Sequence, residues 1–550
     1  MTATATPALG RTAGPAAGNA LAGTGRLVRF ALRRDRVRIP VWLAALTLGS
    51  VWPAAAFPEL YPTEAARRTA MATMNSPAGL AFTGPQRYLS DYHYGSMVSH
   101  QLLGFVVVFV GIMSVLLVTR HTRAEEETGR AELVRAAPVG RHAQLAAALI
   151  LAVAVNAALA ILLALGMGAL GLEGTTWQGS LLYGAAHAAT GVTFAGVAAV
   201  TVQLTAHSRG ASGMGFAVVG AAYLVRAAGD SADSALSWAS PIGWAQQTFP
   251  YLDDRWWPLL LNLAAAAVLA AAGFALSLRR DLGAGLRAAR RGRPAASRLL
   301  ATPLGFALRL HRGMLIGFAV GALLLGASYG PFLGDIEEMF RDIQVLQDAL
   351  AALGGATVID SFIAMVTTIF TLVATVHVVI TALRPRSEET AGRAEPVLAT
   401  GLSRTRWLAS HLAVALAGGP VMLLLSGLAL AATGAPTVAE TGLFGKAVAA
   451  AAVHIPALWV TAGLAVALVG WLPRATVLAW LFVGYVGVTG YLGMLLRLPS
   501  WATALSPFSH VPRLPVEDFT WTPLLALTAI AAALIALGLY GFRRRDLETK

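Results

Sequence analysis

Arg123-Ala-Glu125-Glu126-Glu127-Thr-Gly129-Arg130-Ala131-Glu132-Leu-Val134-Arg-Ala136-Ala-Pro-Val-Gly-Arg141 returns 263 residues later without a gap. The second copy reads Arg386-Ser-Glu388-Glu389-Thr390-Ala-Gly392-Arg393-Ala394-Glu395-Pro396-Val397-Leu-Ala399-Thr-Gly-Leu-Ser-Arg404. Arg123, Glu125, Glu126, Gly129, Arg130, Ala131, Glu132, Val134, Ala136 and Arg141 recur as identical residues. In a chain rich in alanine, chance would mostly pair alanines, whereas most of these identities are charged residues or glycine. Each copy lies between two long apolar segments. The sequence therefore reads as a duplicated membrane protein whose densest charge chemistry sits in one matching loop per half.

Composition supports that reading. Of 550 residues, 56% are hydrophobic and 13% charged, whereas soluble domains are about a quarter charged. Repeated apolar runs of about 20 residues, each able to cross a bilayer core of roughly 30 Å, account for the excess. The ~10-residue alternating segments of a transmembrane barrel do not occur. With no cysteine, disulfides, thiol catalysis and thiolate metal sites are excluded. The net charge of +13 is almost all arginine, since Lys446 and Lys550 are the only lysines. In a membrane protein such an excess marks cytoplasmic loops beside anionic headgroups, not nucleic-acid binding.

The fold class expected is an all-α polytopic membrane protein with 12 spanning helices as two parallel six-helix repeats. Spans are expected at about 40–57, 98–118, 143–170, 180–204, 211–228, 257–278, 313–331, 360–383, 407–432, 447–470, 474–496 and 522–542. The domain reading is a disordered tail over 1–24, a first half over 25–282, a cytoplasmic linker over 283–303 and a second half over 304–550. Arginine-broken apolar patterns at Arg26–Arg36 and again at Phe306–Arg309, with Arg312 matching Arg36, predict an interfacial helix before each half. The halves also echo each other at their ends, Arg279-Arg280-Asp281-Leu282 against Arg544-Arg545-Asp546-Leu547. An even number of helices per repeat gives parallel topology.

Arginines at 26–38, 120–141, 279–312, 384–406 and 543–545 fall on one side if the helices alternate, which places both termini and both repeated loops in the cytoplasm. On the other side, segments 58–97 and 332–359 are long for connections. In the second, Ile336, Met339, Phe340, Ile343, Leu346 and Leu350 recur at helical spacing.

The missing chemistry narrows the function. A phosphate-binding P-loop needs Lys followed by Ser or Thr. Lys446 precedes Ala447 and Lys550 ends the sequence, so any ATP chemistry belongs to another subunit. The spans hold no mid-membrane Asp or Glu, Asp360 lying at the start of one, which weakens ion-coupled transport. No metal or nucleophile constellation is present. His187 and His454 occupy matching places in helices 4 and 10, where they serve either as interhelical glue or as lining of a substrate path. Arg226, near a helix end, is expected to snorkel toward the interface. Glu126–Arg130 and Glu389–Arg393 have the spacing of helical ion pairs. Retention of both carboxylates, the glycine and the arginines in the two copies suggests that each half docks the same thing.

The six-helix unit with its interfacial helix and its Glu-Glu-x-x-Gly-Arg-x-Glu loop resembles the ABC-2-type exporter permeases. The fused form resembles the actinobacterial "exporter of polyketide antibiotics" permeases of multidrug efflux. The resemblance implies that Glu125, Glu126, Gly129, Arg130 and Glu132 form one coupling contact to an ATPase, and Glu388, Glu389, Gly392, Arg393 and Glu395 the other. Thr390 for Glu127 and Pro396 for Leu133 are departures, so the two docks need not be equivalent. It further implies two copies of a separate cytoplasmic ATPase carrying ATP and Mg, no cofactor on this chain, a lipophilic small-molecule substrate, a multi-pass place in the bacterial plasma membrane, and a cavity lined by helices 1, 2, 5, 7, 8 and 11. The chain itself is then a transport subunit and not an enzyme. Reversing charge at Glu126 and Glu389 is expected to cut partner association without harming membrane insertion. The alternatives are a proton-coupled 12-helix antiporter and a non-transport membrane scaffold.

Overall fold

The structure is a computed structural model and describes residues 20–281, 283–287, 294–334, 357–438, 442–492 and 499–547. Most of the expected tail, the helical pattern at 336–350 and the last part of the expected span 474–496 lie outside the described residues. Among the described residues the only regular structure is helical. The chain forms two compact units, Met1–Arg291 and Gly292–Lys550.

The first unit begins with α1 (Thr24–Arg34) and α2 (Arg38–Leu60), followed by two short helices, α3 (Glu64–Met74) and α4 (Pro77–Thr83). A long helical run then contains α5 (Tyr94–Val98), a π turn at Ser99–Leu103, α6 (Gly104–His121) and α7 (Arg123–Glu127). After α8 (Arg130–Arg135) come α9 (Ala143–Leu170), α10 (Trp177–Leu204), α11 (Ser208–Ser231), the short α12 (Pro241–Gln246) and α13 (Pro258–Ser277). Helix α10 is the axle of this unit, packing against α6, α9, α11 and α13. Small residues make this possible, as expected where close packing and not water drives helix association. A Cβ on Gly184 would stand 2.3 Å from the Ala160 carbonyl oxygen of α9. The outward face of α13 is Leu260, Leu263 and Val268, all exposed, a surface fit for lipid and costly in water.

The second unit holds α14 (Pro303–Tyr329), α15 (Val358–Ala382), α16 (Arg384–Thr390), α17 (Ala394–Leu398), α18 (Arg404–Gly434), α19 (Leu443–Ala452), α20 (Ile455–Trp471), α21 (Val477–Gly487), α22 (Ser500–Ala504) and α23 (Trp521–Arg544). Helices α20 and α23 meet along a glycine seam. A Cβ on Gly470 would lie 2.2 Å from the Gly538 oxygen, and one on Gly538 2.6 Å from the Val466 carbonyl carbon.

Among the described residues, eleven helices are long and apolar enough to cross a membrane. The eleventh expected span, 474–496, appears as a shorter apolar helix, Val477–Gly490. The expected span at 447–470 is divided at Val453–His454, where Pro456 begins a new helix with its fixed φ and missing N–H.

Candidate functional site

Each repeated loop folds as a short helix, a glycine turn and a second short helix. Gly129 and Gly392 have φ of +73° and +70°, a left-handed conformation that costs other L residues about 1–2 kcal/mol. Nothing lies within 4 Å of a Cβ built at either position. Backbone conformation, and not space, therefore accounts for the recurrence of glycine.

Of the loop carboxylates, Glu126 and Glu389 are buried, whereas Glu132 and Glu395 are exposed. Glu126 accepts from Arg280 Nη1 at 2.8 Å and Nη2 at 2.7 Å, from Arg123 Nη1 at 2.8 Å and from the Gly283 amide at 3.3 Å. Its side chain is only 4% exposed. Arg123 is fully buried and also donates to the carbonyls of Val202, at the end of α10, and Ala284. The matching Glu389 accepts from Arg545 Nη1 and Nη2, both at 2.6 Å, and its side chain is 2% exposed. Arg545 Nε donates in turn to Val469 O at 3.1 Å, at the end of α20. Arg141 and Arg404 complete the parallel by donating to the carbonyls of Leu278 and Arg545, at the ends of α13 and α23. Bidentate arginine–carboxylate bonds of this kind are strong and fix orientation. The loops are thus riveted to the ends of two long helices in each unit.

The expected helical pairs are accordingly not formed. Glu126 bonds Arg123 and Arg280 instead of Arg130, and Arg393 bonds Glu388 Oε2 at 2.6 Å instead of Glu389. That carboxylate raises the Arg393 guanidinium above its ordinary value. The aligned Glu125 and Glu388 differ in partner. Glu125 pairs with Arg34 of α1, whereas Glu388 is held inside its own loop by Arg384 and Arg393. The loop faces left open are Arg130, Glu132 and Leu133 in one copy, with Leu133 77% exposed, and Arg393, Glu395 and Pro396 in the other.

His187 and His454 keep matching geometry. Each donates from Nδ1 at 2.8 Å to the carbonyl four residues earlier, Tyr183 O and Ala450 O. His187 is fully enclosed, its ring 4.5 Å from that of Tyr183. Arg226 does not snorkel. It is fully buried, paired with Asp230 at 3.4 Å and set over the Tyr223 ring at 4.4 Å. Asp230, beyond the span expected at 211–228, lies in the last turn of α11.

Sequence reasoning missed the arginines that hold the loops, Arg34, Arg280 and Arg545. The signal for two of them was present in the echo of Arg279-Arg280-Asp281 by Arg544-Arg545-Asp546.

These features define a multi-pass helical membrane protein with a rigidly anchored polar loop in each of two units. Residues 26–276 and 300–543 match the family described as multidrug efflux system permease Rv1217c, C-terminal domain. The chain belongs to that family, one of ABC-2-type permeases. The multidrug efflux system permease protein Rv1217c of Mycobacterium tuberculosis (strain ATCC 25618 / H37Rv) is 42% identical over 544 residues, covering 97% of both chains. Eleven helices able to cross a membrane among the described residues, in a member of this family, make the chain a multi-pass protein of the bacterial plasma membrane.

Proposed function

We propose that the chain is the membrane-spanning permease subunit of an ATP-binding-cassette exporter that moves amphipathic small molecules out of the cell. Two copies of a separate cytoplasmic ATPase, which carry ATP and Mg, dock on the two loops. Both termini and both loops face the cytoplasm, and the two units are parallel repeats. The observation that carries the reading is the repeated anchoring of Glu126 by Arg280 and of Glu389 by Arg545. A loop so held transmits a push on its open face to the helices behind it without bending first. The ATPase contacts are the open residues Arg130, Glu132 and Leu133, and Arg393, Glu395 and Pro396. Glu126 and Glu389 are the rivets behind them, so their charge reversal unfolds the loop.

Buried acids in the described residues also favour an outside energy source over a proton relay. Asp35 pairs with Arg120 and His121, Asp230 with Arg226, and Asp360 with Lys446 at 2.7 Å. Each of these carboxylates thus already has a cation beside it within the chain. The test is co-purification with the ATPase encoded beside this gene, scoring stoichiometry and vanadate-sensitive hydrolysis. Two ATPase chains per permease is the expected result. A permease that purifies alone and exports on a proton gradient without ATP overturns the reading.

A further inference from the structure

The first unit has an open cavity of about 560 Å³ between α2, α6 and α11, at the same end as its repeated loop. That is the size of a small-molecule site. Its two ends differ in chemistry. One part of the lining is apolar, Trp42, Met113, Leu116, Leu117 and Phe216. The rim carries three arginines, Arg38, Arg120 and Arg209, against one carboxylate, Asp35. Asp35 is consumed, since both its oxygens take hydrogen bonds from Arg120, and His121 adds a third at 2.8 Å. Arg38 and Arg209 make no hydrogen bond or ion pair among the described residues, and both are exposed. Glu127 lies close enough to act on Arg209 at longer range, but its Oε2 is taken by the Ser208 amide and hydroxyl. The rim therefore holds two uncommitted cations above an apolar pit.

We propose that this cavity binds an amphipathic anion, with the negative head between Arg38 and Arg209 and the apolar body against Trp42, Met113 and Phe216. The complementarity is on both counts. A cationic amphiphile would meet like charge at the rim, and a hydrophilic anion would leave the pit unfilled. The face of α11 that bears Arg209 continues inward at helical spacing through Ser212, Phe216 and Tyr223 to Arg226. The buried Arg226 guanidinium still has Nε and Nη2 without a partner. The same helix thus offers a second cation farther along. The duplication does not repeat Arg38, because the alignment that pairs Arg36 with Arg312 sets Met314 opposite it. That the bound anion is cargo rests on the exporter reading above; that the cavity selects an anion does not.

The test uses the full-length permease alone in nanodiscs of phosphatidylcholine, titrated with 11-(dansylamino)undecanoic acid and with its uncharged amide. The acid is expected to bind at least tenfold more tightly. The double variant Arg38→Gln/Arg209→Gln should remove that preference while leaving amide binding unchanged. An Arg29→Gln/Arg36→Gln control, altering exposed arginines outside the cavity, should keep it. Equal affinity of acid and amide for the unaltered protein overturns the proposal whether or not any variant folds. So does a preference that survives the double variant. Repeating the titration with phosphatidylglycerol in the nanodisc identifies the source. Displacement of the acid marks a resident anionic lipid, and its absence marks a cargo site; both support an anion-selective cavity. Because no ATPase is present, failure here leaves the export reading standing, and failure of the co-purification leaves this one.

Discussion

Arg280 lays both terminal nitrogens of its guanidinium on both oxygens of Glu126, 154 residues earlier in the chain. The bond joins the first repeated loop to the chain just beyond α13, so the loop cannot move without the last long helix of its unit. Arg545 and Glu389 make the same bond in the second unit.

Glu126→Gln leaves Arg123 and Arg280 facing one another without a countercharge, both nearly buried. Breaking one partner of such a pair costs about 3 kcal/mol. The expected result is a melting temperature lower by roughly 5–10 °C for the purified protein, with Glu389→Gln behaving likewise. Unchanged melting of both variants would show that the pairs are ornaments of a loop held by other means.

Gly129 and Gly392 should tolerate asparagine better than alanine, and valine worst of all. Asparagine enters the left-handed region with the least strain, and a β-branched side chain with the most. Partner association measured by pull-down should follow that order at both positions. An inverted order would mean that size, not φ, matters there.

The open faces should separate docking from folding. Leu133→Ala with Glu132→Lys, or Glu395→Lys, is expected to lower ATPase recovery several-fold at an unchanged melting temperature. These side chains have little to lose inside the permease, so a drop in its own stability would argue against the assignment.

Gly538→Leu drives a side chain into the Val466 backbone at the α20–α23 seam. Overpacking of this kind costs roughly 1–3 kcal/mol. It should also spread α23 from α20 and so disturb the Arg545 contacts to Val469 and Glu389. Limited proteolysis between 384 and 404 reads this directly. Protection equal to the parent protein would show that the seam and the loop are independent.

Much of this was legible in the chain. Apolar run length located the spans, because crossing a bilayer imposes a length that composition reveals. The loop was visible because selection on two copies left matching charges amid drifting alanines. What those charges touch was not visible. Glu126 has arginines at i−3 and i+4, and sequence spacing alone cannot say that the long-range Arg280 joins the first of these and excludes the second. Arg226 looked like a residue reaching for water, yet Asp230 one turn later and the Tyr223 ring let it stay inside. In the eleventh span, which reads as uniform by hydropathy, the α-helix gives way to a π turn at Val488–Leu492, beside Gly484, Gly487 and Gly490.

The pairing of Arg34 with Glu125 has no twin. Leu310 stands where the second unit would need the arginine, and Glu388 turns to Arg384 and Arg393 instead. Helix α1 presents Phe30 and Leu32 outward beside its arginines, the dress of a segment resting among lipid headgroups. One loop is therefore tied to a helix with the character of a membrane-surface segment, and among the described residues the other has no such pairing. Two loops of matching sequence therefore have different moorings, one held across to a neighbouring helix and the other folded back on itself.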